Sequence, residues 1–230
     1  VRAALARNPS HPVAHALLAR IRLARSLDFE AARASLDRAL EVNPRLPMAH
    51  VTRAGIAIRE MDLEAADAHL DRALAADPNH LEALSVRAAV RFVQDDERGY
   101  ARAVRAVLER NPRYSEMYTV IADYADWEHR YPEIVEMARE ALRIDPEDAL
   151  AHATLGINLL RTGREEEGLA ALREAWRRDR FNVRVYNLLE LFDGPIARDY
   201  ERVEAGPFVF RLHRQERPVL APYLEETLTR

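Results

Sequence analysis

Apolar residues along this chain recur three and four positions apart, in phase from one end nearly to the other. Leu17, Leu18, Ile21 and Leu23 form a first stripe, and Ala32, Leu36 and Ala39 form a second after a short polar break. The second stripe returns at Ala66, Leu70 and Ala73, and again at Gly168, Leu172 and Ala175. This spacing predicts pairs of amphipathic helices. Asp28, Asp62 and Asp96 sit in the breaks, where their side chains can cap the helix that follows. Thr162-Gly163-Arg164-Glu165 reads as a capping box, and Pro132 suits a first helical turn.

The pattern is an internal repeat. Pro44, Pro78, Pro112 and Pro146 are each 34 residues apart, and each closes a similar phrase such as Ala39-Leu40-Glu41-Val42-Asn43-Pro44. A fifth phrase ends in phase at Asp179-Arg180 without its proline. Proline disfavours helical geometry in the residue before it, so each Asn/Asp-Pro step ends a helix. Five units follow: 13–46, 47–80, 81–114, 115–148 and 149–182.

These units resemble the tetratricopeptide repeat family. The family's small first-helix residue matches Ala54, Ala88, Ala122 and Gly156, and its second-helix alanines match Ala32, Ala39, Ala66, Ala73, Ala141 and Ala175. On the same frame Arg20 falls on the small position of the first unit. The early aromatic position holds Ala16, His50, Leu84, Tyr118 and His152, and Tyr100 and Val107 replace alanines in unit three. The resemblance implies an all-α, right-handed superhelical solenoid of helix-turn-helix hairpins.

Both ends depart from the repeat. Ala4-Leu5-Ala6-Arg7-Asn8-Pro9 repeats a closing phrase, so residues 1–12 read as the tail of a truncated earlier unit. The sequence thus reads as a fragment. Residues 183–196 predict one more helix, broken at Asp193-Gly194-Pro195. Alternation through Phe208, Phe210 and Leu212 predicts a β-hairpin with 200–204. Leu220, Leu224 and Leu228 then mark a helix. Residues 197–230 are expected to start a second domain, and the stretch from Tyr200 to Tyr223 resembles the start of a gluzincin-type metallopeptidase domain of bacterial repeat proteins. The zinc motif His-Glu-x-x-His is absent from these residues.

Composition narrows the chemistry. The 230 residues are 48% hydrophobic and 31% charged with net charge −4, enough to bury a core and too acidic to attract nucleic acid as a whole. Cysteine is absent, which removes disulfides, thiolate nucleophiles and cysteine-based zinc sites. All 34 basic residues are arginine, consistent with a GC-rich bacterial source. No run is long and apolar enough to span a membrane, which leaves bacterial cytoplasm or periplasm open.

Several residues invite a chemical reading. His11 and His15 have metal-compatible spacing but read better as helix-start residues, and His50 and His152 as occupants of the aromatic slot. The arginines at 173, 177, 178, 180 and 184 lie near Trp176 and Phe181, which are expected to be buried against the next helix rather than to stack on bases. No catalytic residue, metal site or cofactor is expected. Family resemblance implies a concave face built from first helices, here Leu17, Ile21, Arg25, Val51, Ile58, Arg59, Phe92, Thr119, Asp123, Asp126, Trp127, Ile157, Leu160 and Arg161. Asp123 and Asp126 share a helix face, so a partner's arginine or lysine could meet both, with Trp127 beside them; the alternative is that both pair with arginines of the next unit. Leu17, Ile21, Gly55, Glu82 and Val86 occupy the positions where chaperone-tail-binding repeats hold a terminal carboxylate, and cannot do so.

The expected function is a non-catalytic scaffold binding a protein or peptide segment in this groove, without nucleic acid or membrane partners. The alternative is the recruiting arm of a zinc metallopeptidase. Self-association is a third expectation, through the hairpin edge at 208–213 or the uncapped first unit.

Overall fold

The computed structural model describes residues 1–228, so the last two residues of the expected 197–230 unit lie outside it. A short α1 (Arg2–Arg7) precedes five helical hairpins. These are α2 (Pro12–Ser26) with α3 (Phe29–Val42), α4 (Pro47–Arg59) with α5 (Leu63–Ala76), and α6 (Leu81–Val93) with α7 (Glu97–Arg110). Then come α8 (Glu116–Ala125) with α9 (Tyr131–Ile144), and α10 (Ala149–Arg161) with α11 (Glu165–Arg178). The first helices pack on one another in order, α2 on α4, α4 on α6, α6 on α8 and α8 on α10. That stacking makes a helical solenoid.

Each hairpin is set by the same local devices. Asp28, Asp62 and Asp96 accept backbone N–H bonds from Ala31, Ala65 and Gly99 at 2.8–3.0 Å. The Asn/Asp of each closing phrase does more than precede proline. Asn8, Asn43, Asp77, Asn111, Asp145 and Asp179 each accept from the N–H two residues on, at 2.9–3.1 Å, which holds the turn even at Asp179, where proline is missing. The turn inside each hairpin needs one left-handed residue, and Leu27, Met61, Asp95, His129 and Gly163 supply it at 34-residue intervals. The expected capping box at 162–165 is not formed. Arg164 holds the N-cap position of α11, two residues after Thr162 and in frame with Asp28, so Thr162 ends α10 and its hydroxyl donates back to the carbonyls of that helix.

Small residues bring the helices together. Ala32, Leu36 and Ala39, Ala66, Leu70 and Ala73, and Leu172 and Ala175 are fully buried, with Ala54 and Ala88 facing them. Removing a side chain such as Leu70 would cost about 2–5 kcal/mol. Unit three fits its larger residues: Val107 is fully buried and Tyr100 packs against Phe92 at 5.9 Å.

Beyond the hairpins, α12 (Val183–Leu191) continues the stack, with Val185 and Leu189 buried. Asp193-Gly194-Pro195 does not simply break it. Residues Phe192–Ile196 form a π-turn that leads into α13 (Ala197–Asp199), so the chain bends while keeping helical bonds. Strands β1 (Tyr200–Ala205) and β2 (Phe208–His213) pair antiparallel, with Val203 opposite Phe210 and Gly206 at positive φ in the turn. The last helix, α14 (Arg217–Leu228), packs against both strands. Arg211 on β2 pairs with Glu165 on α11, with Nε 2.7 Å from Oε2, and ties the hairpin to the solenoid.

Candidate functional site

The concave face is shaped by side chains that reach across two hairpins at a time. Arg20 on α2 pairs with Glu82 on α6. Arg59, at the end of α4, lies over the rings of Tyr124 at 4.8 Å and Trp127 at 5.4 Å on the α8 side, and donates to the Gly55 carbonyl at 2.9 Å. Tyr124 approaches this closely because residue 55 has no side chain. A Cβ at Gly55 would lie 2.6 Å from the Tyr124 oxygen. Burial pushes the Tyr124 phenol pKa up, and the nearby Arg59 cation partly opposes this. Around these contacts runs a groove of about 510 Å3, with Val51, Arg59, Asp123, Asp126 and Trp127 in its lining.

The first hairpin is out of register with the 34-residue frame. His15, not Ala16, is the equivalent of His50 and His152. All three histidines donate Nε2–H to the proline carbonyl six residues earlier, at 2.7–2.9 Å; a carbonyl only accepts, which fixes that tautomer. Helix α2 has 15 residues where α4 has 13, and Leu27 is back in frame at its end. Ala19 therefore fills the small position, fully buried, and Arg20 is turned into the groove. Consequently Arg20, Leu23 and Ala24 line the groove, while Leu17, Ile21 and Arg25 do not. The signal was present in the sequence, since Pro9 and Pro44 are 35 residues apart.

Other expected groove residues are placed elsewhere. Ile58 is 3% exposed and Thr119 7%, the latter donating its hydroxyl to the Glu116 carbonyl at 2.9 Å, so neither is available to a partner; Val51, also 3% exposed, lies under the groove floor and offers almost no surface. Phe92 lies outside the groove, under the Arg130 guanidinium at 4.1 Å. Ile157, Leu160 and Arg161 line a second, largely apolar hollow of about 640 Å3 between α10 and α12. A small hollow of about 60 Å3 lies against residues of both, sharing Asp123 and Asp126 with the groove and Ile157, Arg161 and Arg184 with the second hollow.

The two aspartates do not act as a pair. Asp126 is joined to Arg161, whose guanidinium also lies 4.6 Å above the Tyr131 ring. Among the described residues Asp123 forms no ion pair. Its side chain is exposed on the concave face, yet the surrounding wall displaces part of its water, and this desolvation raises its pKa above the usual carboxylate value. Arg59 and Arg184 pull that value down, and Asp126 pushes it up. Trp127 is 48% exposed, although Arg59 already lies over its ring. Arg20, Glu82 and Tyr124, the residues that close the groove across hairpins, were not among those expected from the sequence.

The histidines are structural. Nδ1 of His11 caps α2, accepting from Ala14 N at 3.3 Å. Among the described residues no cluster of three or more His, Asp or Glu could hold a metal, and no helix is long and apolar enough to cross a membrane. In the arginine cluster, Arg173 pairs with Asp193, Arg177 with Glu174, and Arg178 with Glu147 and Glu174. Trp176 is half-buried against Tyr186 at 5.4 Å. Phe181 corrects its expectation. It is 93% exposed, because it follows the turn at Asp179 and no later helix covers it.

Solved structures share this architecture. A tetratricopeptide repeat protein from Parabacteroides merdae aligns with a TM-score of 0.60 and 16% identity, over 84% of this chain and 75% of that one. A thermophilic tetratricopeptide repeat protein from Thermus thermophilus gives 0.56 and 18%, over 77% and 96%. PilF from Pseudomonas aeruginosa gives 0.50 and 18%, over 82% and 86%. No family model and no curated protein matches the chain. The chain has the tetratricopeptide repeat fold.

Proposed function

We propose that the chain is a non-catalytic protein-interaction scaffold that receives an extended partner segment along its concave face. The observation that carries this reading is Asp123, a carboxylate without an ion pair among the described residues, in the lining of the groove beside a half-exposed tryptophan. Donor groups of a partner, a backbone N–H or an arginine, meet Asp123, and Trp127 supplies flat contact area. The groove is built on packed helices, so the scaffold loses little freedom on binding, and affinity of roughly micromolar order is expected. Selecting peptides from a random displayed library on the native chain and on Asp123→Ala tests it. Enrichment on the native chain that disappears on the variant supports the assignment; equal enrichment on both removes it.

A second reading makes the repeats the recruiting arm of a zinc metallopeptidase. It is favoured by the change from helical hairpins to a β-hairpin and helix, and by the apolar surface left on α14, where Val219 is 75% and Tyr223 65% exposed. Zinc analysis of the parent protein tests it: one bound zinc per chain supports this reading, and none counts against it.

A further inference from the structure

The hollow between α10 and α12 differs in chemistry from the groove around Asp123. Its walls are apolar, with Ile157, Leu160, Leu188 and Leu191, and among the described residues its charged lining is Arg161 and Arg184. Arg161 is committed to Asp126, whereas Arg184 makes no ion pair among the described residues, although its charge is felt at Asp123. Among the described residues no acidic side chain lines this hollow; Asp126, paired with Arg161, and Asp123 stand beside it, in a small hollow that shares Arg161 and Arg184 with it. At about 640 Å3 it is large enough for a leucine or an aromatic side chain with neighbouring backbone. The spacing of Arg184, Leu188 and Leu191 on α12 keeps the cation and the apolar wall on one face of that helix.

We propose that this hollow docks a partner segment in which a large apolar residue stands next to a carboxylate, the apolar side chain entering between α10 and α12 and the carboxylate meeting Arg184. An apolar wall alone would accept any hydrophobic segment. With Arg161 neutralised by Asp126, Arg184 is the lining cation left to meet a partner, and it favours segments with an acid beside the anchor over those with lysine or arginine there. The inference shares the concave face with the proposed scaffold function but needs no contact to Asp123, whose negative charge near Arg184 opposes a partner carboxylate there.

Fluorescence anisotropy with the full chain tests it, using labelled peptides containing Gly-Ser-Phe-Glu-Gly-Ser and the two counterparts with glutamine for glutamate or alanine for phenylalanine. The phenylalanine–glutamate peptide is expected to bind roughly ten-fold more tightly than either counterpart, and added salt to narrow the glutamate–glutamine difference. Arg184→Gln, an exposed substitution, is expected to remove the preference for glutamate, while Asp123→Ala leaves it in place. That contrast separates failure of this inference from failure of the Asp123 groove. Equal binding of the glutamate and glutamine peptides, a preference that survives Arg184→Gln, or no binding below millimolar concentration overturns the proposal. So does concentration-dependent dimerisation that Leu191→Asp abolishes, because the occupant is then a second copy of the chain.

Discussion

Arg161 closes onto Asp126 from the neighbouring hairpin, while Asp123, three residues earlier on the same helical face, is left without an ion pair among the described residues. The pair is solvent-accessible, with side chains 30% and 40% exposed, so its contribution to stability is small. A double-mutant cycle of Asp126→Asn and Arg161→Gln should give a coupling of about 0.5–1 kcal/mol in chemical denaturation. A coupling well above that would mean that the pair is part of a larger network.

Gly55 is expected to resist substitution. Alanine is the better helix former by about 1 kcal/mol, yet its Cβ would press on the Tyr124 oxygen. Gly55→Ala should therefore destabilise the chain by about 1–2 kcal/mol. Combined with Tyr124→Phe, which removes the clashing atom, the same change should cost less than alone. Simple additivity of the two substitutions would contradict the close approach described here.

His50 and His69 form a pair that should make stability pH-dependent. The Nδ1 atoms are 3.2 Å apart, and His50 donates its other ring N–H to Pro44, so His69 supplies the shared proton in its neutral form. Burial, with His50, Arg53 and Arg72 adding repulsion, pushes the His69 pKa down from 6.5 to about 4. Between these values the unfolded chain binds a proton that the folded chain does not. Stability is therefore full above about pH 6.5, declines as pH falls through this window, and takes no further loss from His69 below about 4. With screening at this half-exposed ring, the loss is on the order of 1–2 kcal/mol. Denaturation curves of native chain and His69→Gln at pH 7 and 4.5 check it; an identical pH dependence in both would rule it out.

Met61 sits at φ 60° in the turn of the second hairpin and is 62% exposed. Glycine adopts this conformation without the Cβ penalty, and Gly163 does so in the fifth hairpin. Met61→Gly should raise the stability by about 0.5–1 kcal/mol, read as a higher denaturation midpoint with unchanged slope. A lower midpoint would show that the methionine side chain contributes packing that exceeds the strain.

The repeat was legible because each unit restates its turn chemistry: proline, Asn/Asp and the capping aspartates recur at fixed places and fix where helices start and stop. The site was less legible, for two reasons. A single extra residue in the first hairpin moves Arg20 from the small position into the groove, and a strict 34-residue frame hides it. Contacts that skip a hairpin, Arg20 to Glu82 and Arg59 to Tyr124, depend on the curvature of the stack, which no local pattern records. The alternatives for the two aspartates also divide between them. Asp126 takes an arginine of the next hairpin, and Asp123 does not.

The most direct test of the account uses Trp127 as its own reporter. With Trp176 replaced by phenylalanine, Trp127 is the only tryptophan left. Titration of this variant with a peptide selected on the native chain should shift or quench its emission in a saturable way, and Asp123→Ala should raise the Kd by roughly ten-fold. Saturable binding that leaves the Trp127 emission unchanged and is indifferent to Asp123 would place the partner elsewhere and contradict the concave-face account.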